Sequence, residues 1–168
     1  EIGEADQAFI ESRDMFWLST VDENGMPTVS YRGGDVGFVK VVDNKTIAFP
    51  SYNGNGMFYS MGTFPGAGKV GMLFMDFEKP ICLRVQGTAT VSADDPLMDA
   101  YKVAQLGVWV TVDLMYPNCP RYVHRMEKVT PSRYVPRENV DTPLAGWKWI
   151  DILQDALPAE DKGRADKE

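Results

Sequence analysis

The stretch Met15-Phe16-Trp17-Leu18-Ser19-Thr20-Val21-Asp22-Glu23-Asn24-Gly25-Met26-Pro27-Thr28-Val29-Ser30-Tyr31-Arg32-Gly33-Gly34 decides the fold class. Met15 to Val21 is rich in aromatic and β-branched residues, a composition that suits a pleated, half-buried surface. Asn24-Gly25 is a dipeptide suited to positive φ at a tight turn, and Thr28 to Tyr31 resumes the extended pattern. Two antiparallel strands follow. Downstream, Gly37 to Val42 reads as a third strand, Asp43-Asn44-Lys45 as a turn, and Thr46 to Phe49 as a fourth strand that Pro50 stops. Asn53-Gly54-Asn55-Gly56 breaks the meander, and Met57 to Gly62 reads as one or two helical turns capped at Asn55.

Lys69 to Met75 is a fifth strand, and Ile81 to Ser92 carries the cleanest alternation in the chain. Ile81, Leu83, Val85, Ala89 and Val91 take one face while Cys82, Arg84, Gln86, Thr88, Thr90 and Ser92 take the other, the pattern of a half-buried antiparallel strand. Asp94-Asp95-Pro96 opens a helix toward Gln105, with acid at the positive helix end and proline in the first turn. Val108 to Tyr116 is the last strand, Pro117 to Met126 a short helix, and Leu144 to Leu157 a helix with Trp147, Ile150 and Leu153 on one face. Six or seven antiparallel strands predict a mainly β (α+β) fold, a closed or nearly closed barrel with peripheral helices, because closure removes the edges of an open meander. The expected divisions are an acidic N-terminal helix or arm over 1–14, the barrel over 15–126, a loop and helix packing on it over 127–157, and a frayed charged tail over 158–168.

Composition sets the outer bounds. A chain of 168 residues, 44% hydrophobic and 24% charged, is the profile of one soluble globular domain. At this length roughly 68–70% of the unfolded surface can be buried, so no metal or disulfide staple is required. No apolar run is long enough to span a membrane, and residues 1–14 lack the basic and apolar regions of a secretory signal, so the expectation is a cytoplasmic protein with no membrane contact. The net charge of −7 concentrates at the ends, −4 over residues 1–14 and −2 over 155–168, and neither end looks like core. That balance argues against a nucleic-acid partner, which needs basic charge to displace phosphate counterions. One local exception is the span 121–137, where Arg121, Arg125, Lys128, Arg133 and Arg137 face only Glu127, a local anion site in prospect. Cys82, Cys119 and His124 are too few for a zinc or iron–sulfur site, so no metal is expected.

Two segments carry anion-site chemistry. Tyr31-Arg32-Gly33-Gly34, followed by Gly37-Phe38, sets a fixed cation at a strand end beside backbone without side chains, which lets a phosphate approach; the alternative is a glycine bulge with a surface arginine. Asn53-Gly54-Asn55-Gly56 offers amides and backbone N–H groups at a helix start, or else an ordinary loop. Gly66-Ala67-Gly68-Lys69 lacks the spacing and following Ser or Thr of a nucleotide loop. Cys119 and His124 have no orienting carboxylate nearby in sequence to make them a catalytic pair.

The order of these segments resembles the flavin-binding split-barrel family related to pyridoxamine 5'-phosphate oxidase, over most of residues 8–126. The resemblance rests on Asn24-Gly25-Met26-Pro27 leading to Ser30-Tyr31-Arg32-Gly33-Gly34, on Gly37-Phe38, and on Gly54-Asn55 before a short helix with Ser60 and Gly62. Leu83-Arg84-Val85-Gln86-Gly87-Thr88-Ala89 is similar to that family's Arg/Gly strand, and Asn118-Cys119-Pro120-Arg121-Tyr122-Val123 to its Asn-Cys-Pro-basic-Tyr segment. It implies a homodimer of split barrels with FMN between subunits, serving an FMN-dependent oxidoreductase on a small molecule. It further implies cofactor contacts from Ser30, Arg32, Gly33, Gly34, Phe49, Pro50, Ser51, Asn53, Gly54, Asn55 and Ser60, with Arg32, Ser51, Asn53 and Asn55 at the phosphate and ribityl chain. Arg121 and Tyr122 fall on the substrate side. Gly56 and Met57 stand where relatives often carry Arg or Lys and Gln, and Thr63 where Asn is common, which removes one expected phosphate contact. The same barrel suits deazaflavin F420, or a non-enzymatic module that senses or delivers flavin, F420 or haem, and for haem His124 is the one imidazole available.

Overall fold

The computed structural model describes residues 1–52, 68–92, 99, 101, 104, 106–137, 139–157 and 161. The helical turns expected over 57–62, and all but Asp99, Tyr101 and Ala104 of the helix expected over 94–105, lie outside the described residues. The chain runs through α1 (Glu4–Glu11), β1 (Met15–Val21), β2 (Pro27–Gly33), β3 (Lys40–Asp43), β4 (Thr46–Ser51), β5 (Gly68–Asp76), β6 (Ile81–Ser92) and β7 (Leu106–Asn118). All strand pairs are antiparallel, in the order β2-β1-β5-β6-β7-β4-β3.

The expected hairpin forms. Asp22 Oδ1 accepts hydrogen bonds from the N–H groups of Asn24 (2.9 Å) and Met26 (2.8 Å), and Gly25 adopts φ +80°, which a side chain rarely tolerates. The sheet then curls. Phe16 on β1 and Phe49 on β4 are separated by three intervening strands, yet their ring centroids lie 4.9 Å apart. In a flat sheet, neighbouring strands about 4.8 Å apart would hold them far out of contact. Phe16 also stacks on Phe38 and Phe74, and with Leu18, Ile47, Met72, Val85, Val108 and Val110 these rings form one core. Edge strands β2 and β3 do not pair with each other, so the architecture is a split barrel and not a closed one.

Several expectations need correction. The third strand starts only at Lys40, because a turn from Asp35 to Phe38, with Gly37 at φ +82°, uses the preceding residues. The fourth runs through Pro50 to Ser51; the β3 ladder stops at Ala48, so the proline sits where β4 has lost that neighbour. The strand β6 buries Leu83, Val85 and Ala89 as expected, with a bulge between Gln86 and Gly87, but Cys82 is buried as well. Residues 117 and 118 extend β7 against Leu83 and Cys82, and no helix follows, since Pro117 and Pro120 disfavour helical backbone before them. The helix expected over 144–157 is instead two short 3₁₀ segments, Gly146–Trp149 and Asp151–Ala156, divided by Ile150 in extended backbone.

Both ends contribute burial. The acidic helix α1, with Asp6 accepting from the Gly3 N–H at 3.2 Å, places Ile10 fully in the core, and Ile2 joins it. Near the other end Asp161 is buried against Lys148 at 2.6 Å, so the charged tail is anchored at that residue.

Candidate functional site

The register of the first hairpin decides where the motif points. Arg32 pairs with Phe16 and Ser30 with Leu18, and directly opposed residues share a face, so both polar side chains turn toward the core side of the sheet. Ser30 Oγ donates to the Leu18 carbonyl at 3.4 Å. The Nε of Arg32 is buried and has no hydrogen-bond partner, and burial pulls the guanidinium pKa down. A buried guanidinium N–H without an acceptor fits an anionic group that completes it. On the residues present, the phosphate of a flavin mononucleotide is such a group.

The glycines behave differently. A Cβ on Gly34 would meet the Phe38 ring at 2.4 Å, and one on Gly33 the Tyr31 ring at 2.8 Å. Both positions therefore make room for aromatic rings, and the Gly34 N–H is already spent on the Asp14 carbonyl at 2.9 Å. The cation and the glycines belong to one strand end but serve different purposes.

Tyr31, alternating with Arg32, faces outward and lines a cleft of about 610 Å³ between the β1–β2 end, the β5–β6 turn and residues 126–135. Gly33, Gly34 and Tyr52 line the same cleft. Residues 126–135 lie across it, and several cations of the 121–137 span are bonded nearby. Arg125 donates to the Glu78 carbonyl (3.3 Å), Lys128 pairs with Asp14 (2.5 Å), Arg133 donates to the Tyr134 hydroxyl (3.0 Å), and Arg137 grips Asp35 through two bonds (2.7 and 2.6 Å). The hydrogen bond to Asp14 raises the Lys128 pKa, and that to Asp35 raises the pKa of Arg137. Of the five cations behind the expected anion site, Lys128 and Arg137 are thus neutralised by Asp14 and Asp35. Burial and then Asp35 raise the Tyr52 phenol, and burial, Tyr52 and Glu11 push Tyr101 up to about 12, its hydroxyl buried without a partner.

Of the residues expected at the cofactor, Phe49 is fully buried in the core, and Pro50 and Ser51 are buried along β4. Asn53, Gly54, Asn55 and Ser60 lie outside the described residues, as do Gly56, Met57 and Thr63. Arg121 and Tyr122 are exposed and take no part in the cleft wall. Among the described residues there is no group of three or more His, Cys, Asp or Glu placed to hold a metal ion. Of the cleft's rings, Tyr52, Phe77 and Tyr134 do not stand out in the sequence, and Tyr31 does so only as the neighbour of Arg32 in its motif.

The family model described as pyridoxamine 5'-phosphate oxidase matches residues 2–133. No curated protein matches the chain. Among solved structures, HupZ of Group A Streptococcus is similar at 18% identity and TM-score 0.57, the match covering 76% of this chain and 100% of that one. A protein of Lactobacillus delbrueckii described as a candidate pyridoxamine 5'-phosphate oxidase is similar at 21% identity and TM-score 0.53, covering 68% of this chain and 92% of that one. General stress protein 26 of Bacillus anthracis follows at 14% identity and TM-score 0.51, covering 68% and 91%. At these identities the structural likeness is one of fold.

Proposed function

The chain belongs to the pyridoxamine 5'-phosphate oxidase family, and from that premise we propose that it is an FMN-dependent oxidoreductase acting on a small molecule as a homodimer. The observation that carries the proposal is the buried, unpartnered Nε of Arg32. A phosphate would supply the acceptor this cation lacks, and a charge-assisted hydrogen bond of this kind contributes about 1.5–3 kcal/mol. Ser51, Asn53 and Asn55 would hold the rest of the phosphate and the ribityl chain, with Ser30, Gly33, Gly34, Phe49, Pro50, Gly54 and Ser60 around them. Bound FMN supplies the electron-transfer chemistry, and the protein's part is to bind, orient and shield it.

The outward face of the first hairpin leaves Val21, Met26 and Val29 exposed, apolar surface that a second copy would cover. Cys82 and Cys119 are both free thiols, which suits a reducing, cytoplasmic setting. No helix of the described residues is long and apolar enough to cross a membrane.

The test is an FMN titration of the wild type and of Arg32→Met, followed by quenching of flavin fluorescence. The expected loss is about 10- to 150-fold in affinity, the equivalent of the charged hydrogen bond. Equal affinity in the two proteins defeats the assignment of Arg32 to the phosphate.

A further inference from the structure

We infer that residues 126–137 form an ionic strap across the cleft, closed by Lys128 on Asp14 and Arg137 on Asp35 and opened when those two pairs part. The strap supplies one wall of the cleft through Met126, Lys128, Pro131, Ser132, Tyr134 and Val135, and the barrel supplies another through Met15, Tyr31, Gly33 and Gly34. Both acids that receive the strap flank the Arg32-Gly33-Gly34 strand end. The Asp14 carbonyl accepts the Gly34 N–H at 2.9 Å, and Asp35 follows Gly34 directly. A clasp at these two points closes beside the glycines placed at the cofactor, so this inference rests on the flavin reading and adds to it the control of access to that site.

What fastens the span to the barrel beyond Met126 is ionic. Among the described residues, its last backbone hydrogen bond to the barrel is Met126 N–H to the Phe77 carbonyl at 3.2 Å; those that follow, Val135 to Ser132 and Val140 to Arg137, are internal. None of its apolar side chains joins the core, and Val129 is 97% exposed. Arg133 is spent within the span, on the hydroxyl and over the ring of Tyr134. The ties that reach the barrel are Lys128 to Asp14 at 2.5 Å and Arg137 to Asp35 at 2.7 and 2.6 Å, with Asp35 and Glu78 adding their field to that of Asp14 at Lys128. The four paired side chains are 28–54% exposed, a setting in which ion pairs are weak singly and screened by salt. A segment with no backbone ladder to the barrel and little buried apolar surface opens at low cost once such pairs part.

The test reads access to the cleft directly. Met15 lines it from the barrel side and is half-buried, so Met15→Cys in a Cys119→Ser background places a reactive thiol there, Cys82 being 4% exposed. N-ethylmaleimide is uncharged, so salt acts on the strap and not on the reagent. Raising NaCl from about 20 mM to about 500 mM is expected to speed labelling of the full chain, because the two pairs are screened. Lys128→Met and Arg137→Met are each expected to speed it about two- to fivefold at low salt, the effect of losing one exposed pair. With both substitutions labelling is fast and independent of salt, and release of FMN from the loaded protein quickens in the same order. The salt arm uses the strap unaltered and so does not depend on the variants folding. Labelling indifferent to salt and to both substitutions, a salt dependence that survives the double variant, or FMN release unchanged while labelling quickens would each overturn the proposal. Absence of FMN binding defeats the flavin reading alone, and the labelling rates then decide whether the strap opens.

Discussion

Arg32 stands directly opposite Phe16 in the β1–β2 ladder, so an arginine with an unpartnered Nε shares the inner face with a ring that has no exposed surface. Without an anion, this arrangement costs the fold a buried N–H left without an acceptor. Arg32→Met keeps the length of the side chain and removes the charge. In ligand-free protein it is expected to leave the melting temperature unchanged or raise it, the opposite sign to its effect on FMN affinity. A thermal melt of the apo variant checks this, and clear destabilisation would mean that Arg32 serves the fold itself.

Gly34 is held by packing. Its missing Cβ would overlap the Phe38 ring, which is 6% exposed and stacked on Phe16, so neither ring has room to move. Gly34→Ala is expected to cost about 1–3 kcal/mol, the usual penalty for overpacking. Gly33→Ala meets the Tyr31 ring instead, and that ring is 61% exposed and free to shift. Urea denaturation of the two variants should rank Gly34→Ala as the more damaging.

Asp76 sets an acid limit. Burial works to raise its carboxyl pKa, but the N–H groups of Lys79 and Glu78 (2.9 Å each) and the Arg13 guanidinium (2.9 Å) outweigh it and hold the pKa below the ordinary 3.8. A carboxylate with a depressed folded pKa stabilises the fold above its unfolded pKa, and that contribution is lost as pH falls through the lower folded value. Carboxyl-carbon NMR should therefore find Asp76 titrating below 3.8. In Arg13→Ala the midpoint should move upward.

Lys148 and Asp161 form a buried pair at 2.6 Å, with side chains 5% and 2% exposed. Breaking a buried ion pair is destabilising, so Lys148→Met alone is expected to cost about 3–5 kcal/mol. Lys148→Met combined with Asp161→Leu is expected to cost less than the two single changes added together, because both remove the same ion pair. Denaturant melts of the single and double variants test the coupling.

The hairpin was legible because its signals are local: β-branched and aromatic residues on both arms, and Gly25 at the turn. Arg32 was legible as a cation at a strand end because a charged residue beside glycines is a short-range pattern. The purpose of the glycines was not, since the ring that crowds Gly34 comes from Phe38 after an intervening turn. Nor was the fate of the basic span. Lys128 reaches back 114 residues to Asp14 and Arg137 reaches back 102 to Asp35, and no sequence periodicity encodes pairings of that length. The aromatic cleft was missed for the same reason, its rings being gathered from β2, the end of β4, the β5–β6 turn and the C-terminal span. The buried Ile10 was missed because the acidic composition of residues 1–14 masks a single apolar stripe.

The measurement that tests the central claim most directly is the visible absorption spectrum of the purified chain, before and after adding FMN, F420 or haem separately, followed by addition of a reduced nicotinamide. The account predicts a bound flavin band with FMN that bleaches on reduction, and a bound species identified as FMN by mass after release. A chain that takes up F420 or haem in preference to FMN, or none of the three, would contradict it.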